Sequence, residues 1–165
     1  NKGYYLDILE NLGSNTGEED GPIMAWRDPF IYFDKDGNLD IFVAAKTKPR
    51  ESALARISLK PKGDFFELTK LHSPSRVPDI HDFTQLEVPK VLFDETKNNY
   101  YLIISTCNRL FENQPESEVS KEVRIYKSDC KDGPWNSLGG KILHEENLFG
   151  LTVLKSDFLL ENALD

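Results

Sequence analysis

The sequence has little cysteine, little histidine, a deficit of positive charge and no long apolar run. Its two cysteines, Cys107 and Cys130, fall at opposite ends of an expected antiparallel pair, residues 99–108 and 121–129. A disulfide needs Cα atoms about 4.4–6.8 Å apart, so no bridge is expected. Two free thiols fit a reducing compartment, which favours a cytoplasmic over a secreted location. The three histidines, His72, His81 and His144, show no metal-ligand spacing, so neither a metal nor another cofactor is expected. Lys and Arg number 20 against 28 Asp and Glu, a net charge of −8. That balance argues against nucleic acid or an anionic membrane as partner and suits a neutral small molecule such as carbohydrate. No apolar stretch approaches the roughly 18–20 residues of a membrane helix. No signal peptide is visible, but the chain opens at Asn1 rather than Met, so the true start is expected upstream.

What the chain does have is punctuation at regular intervals. At 165 residues, with 39% hydrophobic and 29% charged residues, it can bury the core of a single domain. Ile23–Asp34 reads as a strand, Lys35-Asp36-Gly37-Asn38 as a tight turn, and Leu39–Ala45 as the returning strand. A basic turn leads to Ala53–Leu59, and Pro61-Lys62-Gly63-Asp64 turns into Phe65–Leu71. A second unit repeats the scheme, with Val88–Asp94, the turn Glu95–Asn98, Asn99–Cys107, an insertion over Asn108–Ser120, Glu122–Ser128 and a fourth strand around Lys141–His144. Tyr4–Leu9 could be a further strand and residues 13–22 a surface loop. A third unit is expected to begin at Leu148–Leu154.

The two complete units keep register. Pro29 matches Pro89, Asp34 matches Asp94 and Asn38 matches Asn98, each 60 residues on. Four-stranded units at such a period are the sign of a β-propeller, because one small twisted sheet cannot cover both of its faces. The expected fold is therefore all-β, an incomplete propeller of two to three antiparallel blades. Residues 1–165 form one partial domain, with blades at about 23–72 and 86–145 and flanking pieces 1–22 and 146–165. Two blades leave sheet faces bare. Either the chain belongs to a longer protein, or another copy covers it as a homo-oligomer.

A carboxylate stands at the mouth of the first strand of each unit: Asp28 in Trp26-Arg27-Asp28-Pro29, and Glu87 in Leu86-Glu87-Val88-Pro89. Glycosidic cleavage needs a proton donor for the leaving oxygen and a carboxylate facing an oxocarbenium-like transition state. The apolar neighbours of Glu87 would raise its pKa, which suits an acid. Arg27 would keep Asp28 ionised or bind a substrate hydroxyl. The register, however, pairs Glu87 with Arg27. Strict alternation would then send Asp28 and Glu87 to opposite sides unless the backbone kinks at the prolines. The plainer reading is that both carboxylates close turns or pair with arginines.

These motifs resemble the five-bladed propeller glycoside hydrolases and fructosyltransferases of glycoside hydrolase families 32, 43, 62 and 68, closest to the levansucrase and invertase side. The resemblance covers about residues 23–154 and includes Tyr100-Tyr101-Leu102 and Gly133-Pro134-Trp135. It implies that Asp28 binds sugar hydroxyls and stabilises the transition state, and that Glu87 is the general acid/base. The nucleophile of these enzymes, an Asp in an upstream blade, has no counterpart. Asp7 lies towards the right end of the chain, but in Tyr-Leu-Asp-Ile-Leu, and is not assigned that role. The chain would then be either an enzyme short of its nucleophile or a non-catalytic, carbohydrate-binding fragment that self-associates. Further substrate contacts are expected from Trp26 by stacking, His81 just before Glu87, and Asn108 and Arg109 at the end of the second strand. The acidic stretch Glu112–Glu122 is expected to be a solvated excursion.

Overall fold

A computed structural model describes residues 2–6, 26–139 and 143–144. The first sheet is a meander of four antiparallel strands: β1 (Arg27–Phe33), β2 (Leu39–Lys48), β3 (Glu51–Lys62) and β4 (Phe65–Leu71). The second begins with β5 (Gln85–Asp94), β6 (Asn99–Cys107) and β7 (Lys121–Ser128). Its fourth position is filled by two short pieces, β8 (Asn136–Ser137) and β9 (Leu143–His144), both paired with β7. The chain is thus all-β, two propeller-type antiparallel blades of an incomplete propeller. Residues 7–22 and the expected third unit at Leu148–Leu154 lie outside the described residues. Of the expected N-terminal strand only residues 4–6 are described, and they form no strand, although the Tyr5 amide donates to the Lys46 carbonyl (2.8 Å).

The matched residues do matched work. Asp34 closes the β1–β2 turn by accepting from the amides of Asp36 and Asn38, at 3.0 and 2.9 Å. Asp94 closes the β5–β6 turn by accepting from Thr96 and Lys97, at 2.9 and 3.2 Å. Such carboxylate-to-backbone bonds are why Asp opens tight turns. The left-handed residue is Gly37 in the first turn (φ 78°) and Asn98 in the second (φ 54°), the two residue types that tolerate that conformation best.

Alternation along the strands gives the first blade two apolar faces. The inner one contributes Phe42, Ala44 and Leu54 to a core shared with Leu86, Val91, Leu102, Ile104 and Tyr126 of the second blade. Strand β5 therefore packs across β1, β2 and β3. The segment between the blades is stitched into this core by Ser75. Its backbone pairs with Leu54 in both directions, its hydroxyl donates to the Asp132 carbonyl (2.8 Å), and it accepts the Trp135 indole N–H (2.9 Å). The outer face runs in rows across the sheet, Ile31–Ile41–Ile57–Leu71 and Phe33–Leu39–Leu59–Leu68. Tyr4 packs over one end of it, against Val43, Ala45 and Ala55. At the other end Ile31, Phe33, Phe66 and Leu68 are exposed. Cys107 and Cys130 are both free.

Candidate functional site

The inner strands β1 and β5 begin with the same irregularity. Arg27 pairs with Ala44 and Phe30 with Phe42, so one extra residue is accommodated between them. Glu87 pairs with Ser105 and Lys90 with Ile103, and one extra residue is again accommodated. At both bulges the residue before proline has a positive φ, 55° for Asp28 and 49° for Val88. Proline has no N–H to lose from the ladder, so a bulge is where a strand tolerates it. A positive φ at a β-branched residue such as Val88 is uncommon and costs about 1–3 kcal/mol. These two kinks resolve the conflict posed by strict alternation, for Arg27, Asp28, Gln85 and Glu87 all face one cleft of about 370 Å³.

Within the cleft Arg27 is the organising cation. One of its terminal nitrogens donates to Gln85 Oε1 (3.1 Å) and makes a short contact to Glu87 Oε1. Its Nε lies 3.9 Å from Asp28 Oδ2. The closer partner of Arg27 is thus Glu87, a contact that the equivalence of the two positions in the repeat did not by itself imply, and Asp28 is the more distant one. Asp28 instead accepts from the Val88 amide (3.2 Å), so the two bulges are hydrogen-bonded to each other. The Glu87 side chain is only 11% exposed. Burial pushes its carboxyl above the usual carboxylate range, Arg27 pulls it back, and Asp28 and Glu112 push it up again. Burial likewise raises the Cys107 thiol, which lines the same cleft.

Arg109 also lines the cleft, through a structure that the sequence did not disclose. Its guanidinium donates to the carbonyls of Glu112 (2.8 Å) and Gln114 (3.1 Å) and pairs closely with Glu116. Lys121 reaches Glu116 from the other side (3.0 Å). The insertion is thereby folded into a wall, with Glu112 and Glu116 on the cleft. Glu122, at its end, is buried and paired with Arg124 (2.9 Å). The stretch Glu112–Glu122 is otherwise mostly exposed, as expected of a solvated excursion, with Gln114 and Glu122 as its buried residues.

Three expected contacts stand elsewhere. Asn108 is spent on the neck of the insertion, donating to Glu118 O (3.3 Å) and accepting from the Ser120 amide (2.8 Å). His81 sits exposed in a single helical turn, Ile80–Asp82. Trp26 packs edge-on against Tyr4, ring centroids 4.8 Å apart. None of the three lines the cleft. Conversely, Gln85, Ser105, Thr106 and Lys121 do. Gln85 was recoverable in principle, being two residues before Glu87 and so on its face of the strand.

A second polar cluster mimics a nucleophile–base–acid triad. Ser58 Oγ lies 2.8 Å from His72 Nε2, and His72 Nδ1 lies 3.1 Å from Asp132 Oδ2. Its hydrogen-bond directions run the wrong way for nucleophilic catalysis. His72 Nδ1 has both Arg56, a donor, at 2.9 Å and the Asp132 carboxylate, an acceptor, at 3.1 Å. The Ser58 hydroxyl donates to Asp40 (2.5 Å), so its proton points away from His72. Burial and the Arg56 charge keep the His72 pKa low. The cluster is a clasp, tying the first blade to the loop after β7. Among the described residues no group of His, Cys, Asp and Glu is arranged to hold a metal ion, and no helix is long and apolar enough to cross a membrane.

No known family and no curated protein matches the sequence. Among solved structures the chain is similar to a crystal structure of a levansucrase variant from Bacillus subtilis, with a TM-score of 0.62 and 15% identity. The match covers 87% of this chain and 41% of that one, so the chain spans less than half the length of the protein it matches. At that identity the likeness concerns the fold alone. It supports a propeller-like fold.

Proposed function

From this fold and cleft, we propose that the chain acts on the glycosidic bond of a carbohydrate, in the manner of the levansucrase- and invertase-like enzymes. Glu87 is the general acid/base and Asp28 the stabiliser of the oxocarbenium-like transition state. The observation that carries the reading is the pair of matched bulges, which turn carboxylates from successive blades into one cleft. The environment of Glu87 supports its part. A buried carboxyl whose pKa is pushed up keeps its proton nearer to neutral pH, as a proton donor to a leaving oxygen must. Asp28, held by the Val88 amide and close to Arg27, is an acceptor of fixed orientation. Arg27 and Arg109 supply donors for sugar hydroxyls.

The test is turnover of a panel of β-fructosides, arabinosides and xylosides by the wild type, Glu87→Gln and Asp28→Asn. Loss of general acid/base catalysis is expected to lower the rate at Glu87→Gln by about 10²-fold or more. Equal turnover by wild type and Glu87→Gln removes the assignment. A second reading, binding without catalysis, is favoured by the absence of a matching nucleophile and by the engagement of Glu87 with Arg27. Saccharide binding at the cleft with no product released from any member of the panel would establish that reading instead.

A further inference from the structure

The same two inner strands that open on the cleft end, six residues further on, at a second and larger cavity. Six residues of extended chain span about 20 Å, so Phe33 of β1 and Phe93 of β5 lie at the opposite end of the blades from Arg27 and Glu87. The cavity has a volume of about 710 Å³, within the roughly 300–1,000 Å³ typical of small-ligand pockets. Tyr32, Phe33, Phe93 and Tyr100 line it, the Phe33 ring itself lying against Phe66 on the outer face of the first blade. Phe93 and Tyr100 stack against each other, centroids 4.6 Å apart and tilted by 34°, which leaves each ring only its other face. Tyr32 stands against Tyr100 at 6.3 Å and 65°. Around the rings are Asp34, Asp36, Glu95, Asn98, Lys35 and Lys131.

Three features restrict what such a cavity can hold. First, its charges are mixed, three carboxylates with two ammonium groups, which suits neither a multiply charged anion nor a strong cation. Second, the aromatic face best suited to a cation is already in use. Lys131 Nζ lies 4.9 Å from the Tyr32 ring centroid and is held by Asp40 at 2.7 Å. Third, polar capacity is left over. The Tyr32 and Tyr100 hydroxyls, the Glu95 carboxylate and the Asn98 amide make no hydrogen bond among the described residues. Burial raises the Tyr32 pKa to about 12, so its hydroxyl keeps its proton and can donate. A neutral ring with one apolar face and an edge of hydroxyls, each both donor and acceptor, fits all three.

We infer that this distal cavity is a second saccharide-binding site. A sugar ring stacks on the face of Phe93 turned away from Tyr100, and its hydroxyls are read by Glu95, Asn98 and the tyrosine hydroxyls. The site lies apart from the proposed catalytic carboxylates and rests on its own geometry. That both sites take carbohydrate relies in part on the reading of the cleft, and the experiment separates the two.

Binding is measured by calorimetry and by NMR with the full chain, using fructo-, xylo- and arabino-oligosaccharides as probes, sorbitol as an acyclic control and choline as an organic cation. The variants are Phe93→Ala, which removes the stacking face, and Glu95→Gln, an exposed turn position that the fold does not need. Glu87→Gln serves as the cleft control, and circular dichroism confirms folding of each. Losing one aromatic anchor is expected to weaken binding of at least one oligosaccharide about tenfold. Glu95→Gln is expected to weaken it about threefold, about half of that effect on a free-energy scale. The Tyr100 ring signals are expected to shift on titration in wild type and in Glu87→Gln alike. Oligosaccharide affinity unchanged in Phe93→Ala and in the Phe93→Ala/Glu95→Gln double variant overturns the inference. So does saturable binding of choline in preference to every sugar. Binding lost only in Glu87→Gln also overturns it, while leaving the cleft reading intact.

Discussion

Glu87 is pulled in opposite directions, and the balance can be tested by removing one side. Burial, Asp28 and Glu112 favour its protonated form, whereas Arg27 favours the carboxylate. Arg27→Met leaves the upward influences unopposed, so the Glu87 midpoint is expected to move to higher pH, read by carbon NMR of its carboxyl. A midpoint that stays or falls would show that Arg27 does not hold Glu87 ionised. The sign for stability follows. A carboxyl whose folded pKa lies above its unfolded value stabilises the fold below the unfolded pKa, about 4.3, and loses that contribution as pH rises through the folded pKa. The Arg27→Met variant should therefore lose stability over a wider range of rising pH than the wild type. At this scale Asp28, Glu87 and Arg27 were legible because they occupy repeated motifs. Arg109 was legible as a candidate, but its contacts were not, since they are mostly main-chain carbonyls that no side-chain pattern records. Trp26, Asn108 and His81 were chosen by adjacency to the motifs. Adjacency along a strand does not fix direction, and the first two are consumed by packing and loop closure.

At the scale of strands and turns, the geometry of the cleft depends on two bulges that repeat 60 residues apart. Val88 bears the strain of the second. Val88→Asn, a residue that tolerates a positive φ, is expected to raise stability by about 1 kcal/mol, measured by urea unfolding. A decrease would mean that packing of the valine side chain outweighs its backbone strain. Alternating strands with flanking turns were readable from sequence, and Phe65–Leu71 and Asn99–Cys107 have the expected limits. The fourth strand of the second blade was expected around Lys141–His144. The described strands there are Asn136–Ser137 and Leu143–His144, because Trp135 turns inward to meet Ser75 and the strand position is shared by two pieces. The bulges were anticipated only as a condition on the prolines. Nothing in the residue pattern fixes a positive φ at valine, which tertiary structure has to impose.

For the molecule as a whole, the exposed half of the first blade's outer face is an apolar surface suited to association. Ile31, Phe33 and Leu68 are each more than half exposed, in rows of the kind that a neighbouring blade covers in a propeller. A second copy of the chain is the expected cover, and light scattering at rising concentration should give a mass above that of the monomer. Ile31→Lys with Leu68→Lys should return the mass to that of a monomer. A strictly monomeric wild type at high concentration would sink the expectation. The net charge of −8 works against such pairing, so association should strengthen with added salt.

Ser75 holds Leu54 by its backbone and Asp132 and Trp135 by its hydroxyl, so the segment joining the blades has no free length to act as a hinge. The gauge of the cleft is therefore tied to the packing of one blade against the other.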